Sequence, residues 1–153
     1  MTGAGGAWPR GGIPRYMGRM DKEHTSELLL DFGPDGQKLV PVVTQDARTK
    51  DVLIVAFVNR EAFDETRRSG YATYWSRSRN ELWKKGLTSG DMLLVEEVRI
   101  NCEQNSLVFL VVPQGRGACH VKQADGSPHR SCYYRRIKSD GTLEDVVAGS
   151  TRR

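Results

Sequence analysis

Hydrophobic residues recur along the chain in short runs that are rich in β-branched side chains. Residues 39–45 and 52–58 are two such runs, and the polar segment DARTKD separates them. This spacing predicts two adjacent antiparallel strands, and the second run, which is apolar at successive positions, predicts a central strand covered on both faces. Further strands are predicted over 71–76, 92–100, 106–112 and 131–137.

One helix is predicted over residues 60–69. Asn59 is a favourable N-cap, Glu61 lies in the first turn, Arg67 and Arg68 lie in the last turn, and Gly70 follows as a stop. A single helix among many short strands predicts a small α+β domain with a mostly antiparallel sheet and helix cover. The short apolar segment 28–32 is expected to pack on this body.

The chain has 153 residues, a length typical of one domain with its own core. Residues 1–25 are rich in Gly, Pro and Arg and predict a flexible leader, residues 26–137 the folded domain, and residues 138–153 a loose tail. No apolar run approaches the roughly 20 residues of a membrane-spanning helix, and the leader lacks the apolar segment of a signal peptide. We therefore expect a cytoplasmic protein that does not bind membranes.

Cationic and hydroxyl side chains are concentrated in the segment 75–90, WSRSRNELWKKGLTSG. The net charge of +4 suits an anionic small molecule, although nucleic acid would also fit. Guanidinium groups, hydroxyls and backbone N–H groups beside glycines bind phosphate oxygens, and an indole ring can stack on a base. A solvated charged loop is the alternative. The candidate phosphate-binding residues are Ser76, Arg77, Ser78, Arg79, Trp83, Lys85, Thr88, Ser89 and Gly90.

The three cysteines, Cys102, Cys119 and Cys132, come from three different segments. Their odd number argues against a disulfide framework, and the absence of a C-x2-C pair excludes an ordinary zinc finger. Three thiolates with a fourth position open would suit a catalytic zinc ion. On spacing alone, small core residues are the commoner explanation, but the polar, basic or Gly-rich neighbours of these cysteines favour metal ligation.

The stretch VRINCEQNSL, residues 98–107, has a polar centre between apolar ends. If it is a strand, Asn101, Glu103 and Asn105 lie on one face and Cys102 on the other. Such a strand would carry three oxygen-bearing side chains on one side and a thiol on the other, which the alternation by itself leaves without an assigned role.

The segments LVPVVTQD and VLIVAFVNREAFDETRRSGYATYWSRSRNELWKKGLTSG, with the later C-H…S-C-Y-Y-R, resemble phosphoribosyl-AMP cyclohydrolase over residues 39–136. The resemblance implies a homodimeric enzyme of histidine biosynthesis. It also implies a Zn²⁺ ion held by three cysteines drawn from both subunits. The implied substrate is a phosphorylated purine nucleotide rather than nucleic acid. Water adds at C6 of N1-(5-phosphoribosyl)-AMP, and the N1–C6 bond breaks. These roles would fall on Cys102, Cys119 and Cys132, with His120 as general acid/base.

The sequence departs from the family pattern at its magnesium motif. Where the family reads Asp-Cys-Asp-x-Asp, this chain has Asn101, Glu103 and Asn105. Leu87 replaces the glutamate of K-G-E-T-S-G, and residues 121–131 are longer than the family loop. Because Mg²⁺ prefers carboxylates, we expect this degenerate site to hold it poorly.

These departures leave three hypotheses open. The first is a divergent phosphoribosyl-AMP cyclohydrolase that works with zinc alone, with Lys122 or Arg130 supplying the positive charge of magnesium. The second is a related zinc hydrolase acting on another N-substituted purine nucleotide. The third is a non-catalytic nucleotide-binding paralogue, which the intact Cys102, Cys119, His120 and Cys132 disfavour.

Overall fold

The computed structural model describes residues 22–146, so residues 1–21 of the predicted leader and 147–153 of the predicted tail lie outside the described residues. The elements in chain order are β1 (Val40–Asp46), β2 (Val52–Val58), α1 (Arg60–Ser69), β3 (Thr73–Ser76), β4 (Glu81–Lys84), β5 (Leu93–Ile100), β6 (Leu107–Pro113), β7 (Arg135–Ile137) and β8 (Leu143–Asp145).

A four-stranded sheet with the order β2-β1-β6-β5 is the largest sheet in the described part of the chain. Strands β1 and β2 pair antiparallel as predicted, as do β5 and β6, whereas β1 and β6 run parallel. The domain is therefore a small, mostly antiparallel α+β domain, as the sequence predicted.

The prediction that the second apolar run is a central strand is wrong. Strand β2 lies at the edge of the sheet, and its side chains Val52 and Val55 are 39% and 44% exposed. An apolar run records only which side chains favour burial. It does not reveal whether β6, far along the chain, pairs with β2 or with β1.

Helix α1 forms as predicted, with its ends closed by local hydrogen bonds. The Asn59 side chain accepts the Ala62 N–H at 2.9 Å, and Gly70, at φ 77°, donates its N–H to the Thr66 carbonyl. The helix buries Ala62, Phe63 and Thr66. The Thr66 hydroxyl also accepts the N–H of Thr73 at 3.0 Å, which fixes the start of β3 against the helix.

Strands β3 and β4 form a hairpin over residues 73–84, which confirms the strand predicted at 71–76 and adds β4 inside the basic segment 75–90. Tyr74 on β3 is fully buried and packs against Trp83 of β4 and Phe109 of β6, with ring centroids 5.5 and 6.1 Å apart. Its hydroxyl lies 2.5 Å from that of Thr44 on β1. These contacts attach the hairpin to the main sheet and place its basic residues beside the cysteine segments.

The chain termini of the described region add two smaller features. Leu30 and Phe32 are buried in the core, so the segment 28–32 packs on the body as expected, although without regular structure. Of the strand predicted over 131–137, only β7 forms, and it pairs with β8, which the sequence did not predict. No helix in the described residues is long and apolar enough to cross a membrane.

Candidate metal centre and nucleotide cavity

Two cysteines are brought together by direct pairing of the chain segments that carry them. The Cys119 N–H donates to the His129 carbonyl at 3.1 Å, and the Ala118 N–H donates to the Arg130 carbonyl at 3.0 Å. The Cys132 N–H donates in turn to the Leu53 carbonyl of β2 at 2.9 Å. The pairing is close, since a Cβ on Gly117 would lie 2.5 Å from the His129 oxygen.

Cys119 and Cys132 line the same cavity, and the Cys119 thiol is near enough to affect the ionisation of Cys132. Desolvation and the neighbouring Cys119 together raise the pKa of the Cys132 thiol to about 11. Without a cation the Cys132 thiol therefore stays protonated at neutral pH. A divalent cation reverses this preference, because a coordinating thiol is deprotonated.

A cavity of about 470 Å³ opens beside this thiol pair. Its wall includes His120, Lys122 and five of the residues predicted to bind phosphate, namely Arg79, Trp83, Lys85, Thr88 and Ser89. Soft sulfur ligands, an imidazole, cationic groups and an indole face thus surround one space. This combination suits an anionic substrate with an aromatic ring.

Lys85 is the buried cation of this cavity, with 7% of its surface exposed. Burial lowers the pKa of its ammonium group, although the nearby Asp91 carboxylate favours the protonated form. Its Nζ lies 3.4 Å from the Asp91 carbonyl oxygen. The turn that follows is tight, since a Cβ on Gly86 would lie 2.2 Å from the Asp91 carbonyl carbon.

The structure divides the predicted phosphate-binding residues between two places. Ser76, Arg77 and Ser78 line a second concavity of about 550 Å³, which shares Trp83 with the first. There the Arg77 guanidinium lies 4.2 Å from the centroid of the Phe57 ring. Gly90 lines neither concavity and instead donates its N–H to the Gly86 carbonyl at 2.8 Å.

The prediction of a strand through residues 101–106 is wrong, because these residues form the turn that joins β5 to β6. The Asn101 side-chain oxygen accepts the backbone N–H groups of Asn105 and Ser106, both at 2.9 Å. Gln104 adopts a positive φ of 52°. An asparagine side chain competes for backbone donors in this way and so favours a turn, which removes the alternation of a strand.

The three residues of the degenerate magnesium motif hydrogen-bond to one another in this turn. Asn101 Nδ2 donates to Asn105 Oδ1 at 2.6 Å, and Asn105 Nδ2 donates to Glu103 Oε2 at 3.2 Å. The Asn101 oxygen already accepts two backbone N–H groups. Only one carboxylate is present, and hard cations favour more, so this donor set suits Mg²⁺ poorly.

Cys102 lies in the same turn and is exposed, and it does not line the cavity beside the other two thiols. Within residues 22–146 of a single chain, no three His, Cys, Asp or Glu side chains are grouped so that they could hold a metal ion. Cys119 and Cys132 are soft ligands that fit Zn²⁺, but they are only two of the three ligands of an open zinc site. A zinc site here would therefore need a third ligand from outside this pair.

Comparison with known proteins places this arrangement in a family. Residues 54–134 match the family model of phosphoribosyl-AMP cyclohydrolase. The phosphoribosyl-AMP cyclohydrolase of Methanospirillum hungatei is 46% identical over 127 residues, which is 83% of this chain and 88% of the relative. This chain belongs to the phosphoribosyl-AMP cyclohydrolase family. Two further cyclohydrolases, from Archaeoglobus fulgidus and Halobacterium salinarum, are 46% and 45% identical over 69% and 79% of the chain and 92% of each relative.

The cyclohydrolase match includes every residue of the cavity and the turn that carries Cys102. It begins at Ile54 in β2, ends at Tyr134 after the third cysteine, and leaves out the β7–β8 hairpin. The family comprises hydrolases of histidine biosynthesis that act on C–N bonds.

Asp91 is a cavity residue that the sequence patterns did not reveal. Its Oδ1 accepts the Arg116 N–H at 3.1 Å, so it joins the turn after Lys85 to the segment leading to Cys119. A Cβ on Gly115 would lie 2.1 Å from this oxygen. The T-S-G-D sequence signals a turn ending in an acidic residue, but its partner 25 positions later carries no sequence signal.

Proposed function

We propose that this chain hydrolyses the N1–C6 bond of the adenine ring of N1-(5-phosphoribosyl)-AMP, the reaction for which its family is named. The observation that carries this proposal is the cavity lined by Cys119, Cys132 and His120 together with the buried cation Lys85. A bisphosphorylated substrate with a cationic purine requires an anion-binding wall and a source of nucleophilic water in one space. The cavity offers residues suited to both.

We propose that Cys119 and Cys132 hold a zinc ion together with a third thiolate. Zinc supplies Lewis acidity that makes water nucleophilic at neutral pH. His120 adjoins Cys119 in the cavity wall, where it would take a proton from that water and return it to the purine nitrogen as N1 leaves C6. Lys85 and Arg79 would bind phosphate oxygens, and the Trp83 indole would stack on the purine.

We propose that the third thiolate is Cys102 from a second copy of the chain. Cys102 is exposed, and Val98 and Ile100 on the strand leading to it are 38% and 37% exposed. A twofold homodimer that covered these apolar side chains would bring each Cys102 to the thiol pair of the other subunit and form two equivalent sites. Free thiols at all three cysteines suit a reducing compartment, and we propose that the enzyme acts in the cytoplasm.

Of Lys122 and Arg130, Lys122 is the better candidate to supply the positive charge that a magnesium ion would otherwise provide. It lines the cavity on the longer loop, whereas the Arg130 guanidinium bonds to Asp46 Oδ2 at 2.9 Å, outside that cavity. The loop of Lys122 is itself ordered by the His129 N–H, which donates to the Val121 carbonyl at 3.1 Å. We therefore propose that the reaction needs zinc but no added magnesium.

The test of this function is a turnover assay with zinc-loaded protein in magnesium-free buffer. Phosphoribosyl-AMP should be hydrolysed without added Mg²⁺, and removal of zinc should abolish the activity. Full activity in a zinc-free preparation would contradict the proposal.

A second substrate remains a candidate because Leu87, where the family has a glutamate, lines the same cavity and is 70% exposed. Loss of that carboxylate changes the polarity of the wall, which would suit a different N-substituted purine nucleotide. Growth of a histidine auxotroph that lacks its own cyclohydrolase separates the two functions. Rescue by this chain supports phosphoribosyl-AMP, and failure of a well-expressed chain supports the second substrate.

Replacing Lys122 with methionine should raise KM for phosphoribosyl-AMP about tenfold, since a hydrogen bond to a charged group contributes about 1.5–3 kcal/mol. Methionine keeps an unbranched apolar stem of about the same length and lacks the terminal ammonium group. Steady-state kinetics in magnesium-free buffer measures the change. The matched control is Lys138→Met on the exposed turn between β7 and β8, which should leave KM unchanged. Equal kinetics for the two variants would exclude a substrate role for Lys122.

A further inference from the structure

The thiol pair is held to the main sheet by an ion pair remote from the cavity. Asp46 ends β1, and its side chain is only 6% exposed. Its Oδ2 accepts a hydrogen bond from Arg130 Nη2 at 2.9 Å, and the same guanidinium nitrogen donates to the Thr49 hydroxyl at 2.7 Å. Arg130 lies two residues before Cys132.

The Asp46 carboxylate, which accepts the hydrogen bond from Arg130, is also held by bonds that do not involve Arg130. Asp46 Oδ1 accepts the backbone N–H groups of Arg48 at 2.8 Å and Thr49 at 3.1 Å. The Asp46 N–H donates to the Asp51 carbonyl at 2.9 Å, which closes the turn between β1 and β2. Because Oδ1 accepts two backbone N–H groups of this turn, the turn itself orients the carboxylate and leaves Oδ2 directed to Arg130.

Arg130, the donor of the ion pair, lies in a segment that is hydrogen-bonded next to both cysteines. The Arg130 carbonyl accepts the Ala118 N–H at 3.0 Å, one residue before Cys119. On the other side of Arg130, the Ser131 hydroxyl donates to the Val52 carbonyl at 2.6 Å, and the Cys132 N–H donates to that of Leu53 at 2.9 Å. Displacement of residue 130 would therefore shift the segments of both cysteines.

We propose that Arg130 and Asp46 are positioning residues that hold the Cys119 and Cys132 thiols at metal-binding separation within one subunit. Neither residue lines the cavity, and neither touches the substrate in this proposal. The inference rests on the proposed zinc site for its function. The positioning itself is a property of the metal-free chain. Residues that orient metal ligands typically change metal affinity about 10–100-fold when they are replaced.

The first test compares the zinc affinity of three full-length variants by competition with a chromogenic chelator. Arg130→Met should weaken binding about 10–100-fold. Arg130→Lys keeps the charge on a shorter side chain without the planar guanidinium group, and should recover part of the affinity. The control, Arg136→Met, breaks an ion pair of 2.6 Å with Glu144 on the exposed β7–β8 hairpin and should bind zinc like wild type.

The second test measures the thiol geometry without metal, in full-length protein carrying Cys102→Ser to prevent other pairings. Glutathione disulfide oxidises the Cys119–Cys132 pair: the two thiols lose two protons and two electrons, one protein disulfide forms, and two glutathione thiols are released. The equilibrium constant reports how closely the thiols are held. Arg130→Met should lower it about tenfold by analogy with its effect on zinc, and Arg136→Met should not change it.

These measurements separate positioning from a merely structural role. If Arg130→Met lowers the melting temperature but leaves zinc affinity and the disulfide equilibrium unchanged, the proposal is overturned. If wild type binds no zinc while Arg130→Met still weakens the disulfide, the proposed zinc function fails and the positioning stands. Should Arg130→Met not fold, Thr49→Val removes one acceptor of Arg130 and should produce a smaller loss in both assays, and an unchanged Thr49→Val would overturn the proposal.

Discussion

Cys119→Ser protein should fold, contain no zinc and fail to hydrolyse phosphoribosyl-AMP. Cys119 is 5% exposed and lines the same cavity as Cys132, so serine fits the space, but its hydroxyl is a much weaker zinc ligand than a thiolate. Turnover should fall by at least about a thousandfold, because water then has to attack without a metal-lowered pKa. Metal content by mass spectrometry and turnover on the same preparation measure both losses.

The control for this variant is Ala118→Ser, which places the same hydroxyl at the neighbouring buried residue and leaves all thiols in place. It should retain its zinc. Circular dichroism establishes that both variants are folded. Activity that survived Cys119→Ser would remove zinc from the mechanism and with it the proposed function of the thiol pair.

Equal amounts of Cys102→Ser and Cys119→Ser protein, unfolded and refolded together, should recover activity that neither has alone. In a twofold dimer with shared sites, each mixed dimer has one site with both defects and one site with none. Random pairing makes half of the dimers mixed, so about a quarter of the wild-type activity should return. Turnover before and after co-refolding measures this gain.

The control is a mixture of Cys119→Ser with Cys132→Ser. Both defects lie on the thiol pair of one chain, so every site in a mixed dimer lacks one ligand, and no activity should return. If the first mixture also stayed inactive although dimers formed, Cys102 would not be shared between subunits. Recovery in both mixtures would mean that the three cysteines of a site are not divided between the two subunits as proposed.

Local sequence signals predicted the elements whose stabilising contacts are close in sequence. Asn59, Gly70 and the residues between them specify α1 because its caps bond to groups three or four positions away. The strand β4 and the turn at residues 101–106 were missed, since Leu82 and Trp83 make a short pattern and Asn101 has a side chain that suits a strand or a turn equally well. Strand β2 lies at the edge because β6, about fifty residues further along the chain, pairs with β1 and not with β2.

Part of the chemistry of the candidate site was readable from residue types. The basic and hydroxyl residues predicted an anion-binding site, and five of them line the cavity beside Cys119 and Cys132. The expectation of a metal-assisted reaction on a phosphorylated nucleotide came from the family resemblance, not from residue types alone. The division of the basic residues between two concavities was not readable, because it results from Trp83 standing between them on a hairpin attached through Tyr74.

The sequence by itself determined which ligands are available, how the helix begins and ends, and that one carboxylate replaces three in the magnesium motif. Only the tertiary structure decided that Cys119 and Cys132 meet within one chain while Cys102 lies apart, and that Arg130 is bound to Asp46 while Lys122 lines the cavity. The physical reason is distance along the chain. Ligand chemistry and helix caps are properties of single residues and near neighbours, whereas the separation of two thiols depends on pairing between remote segments.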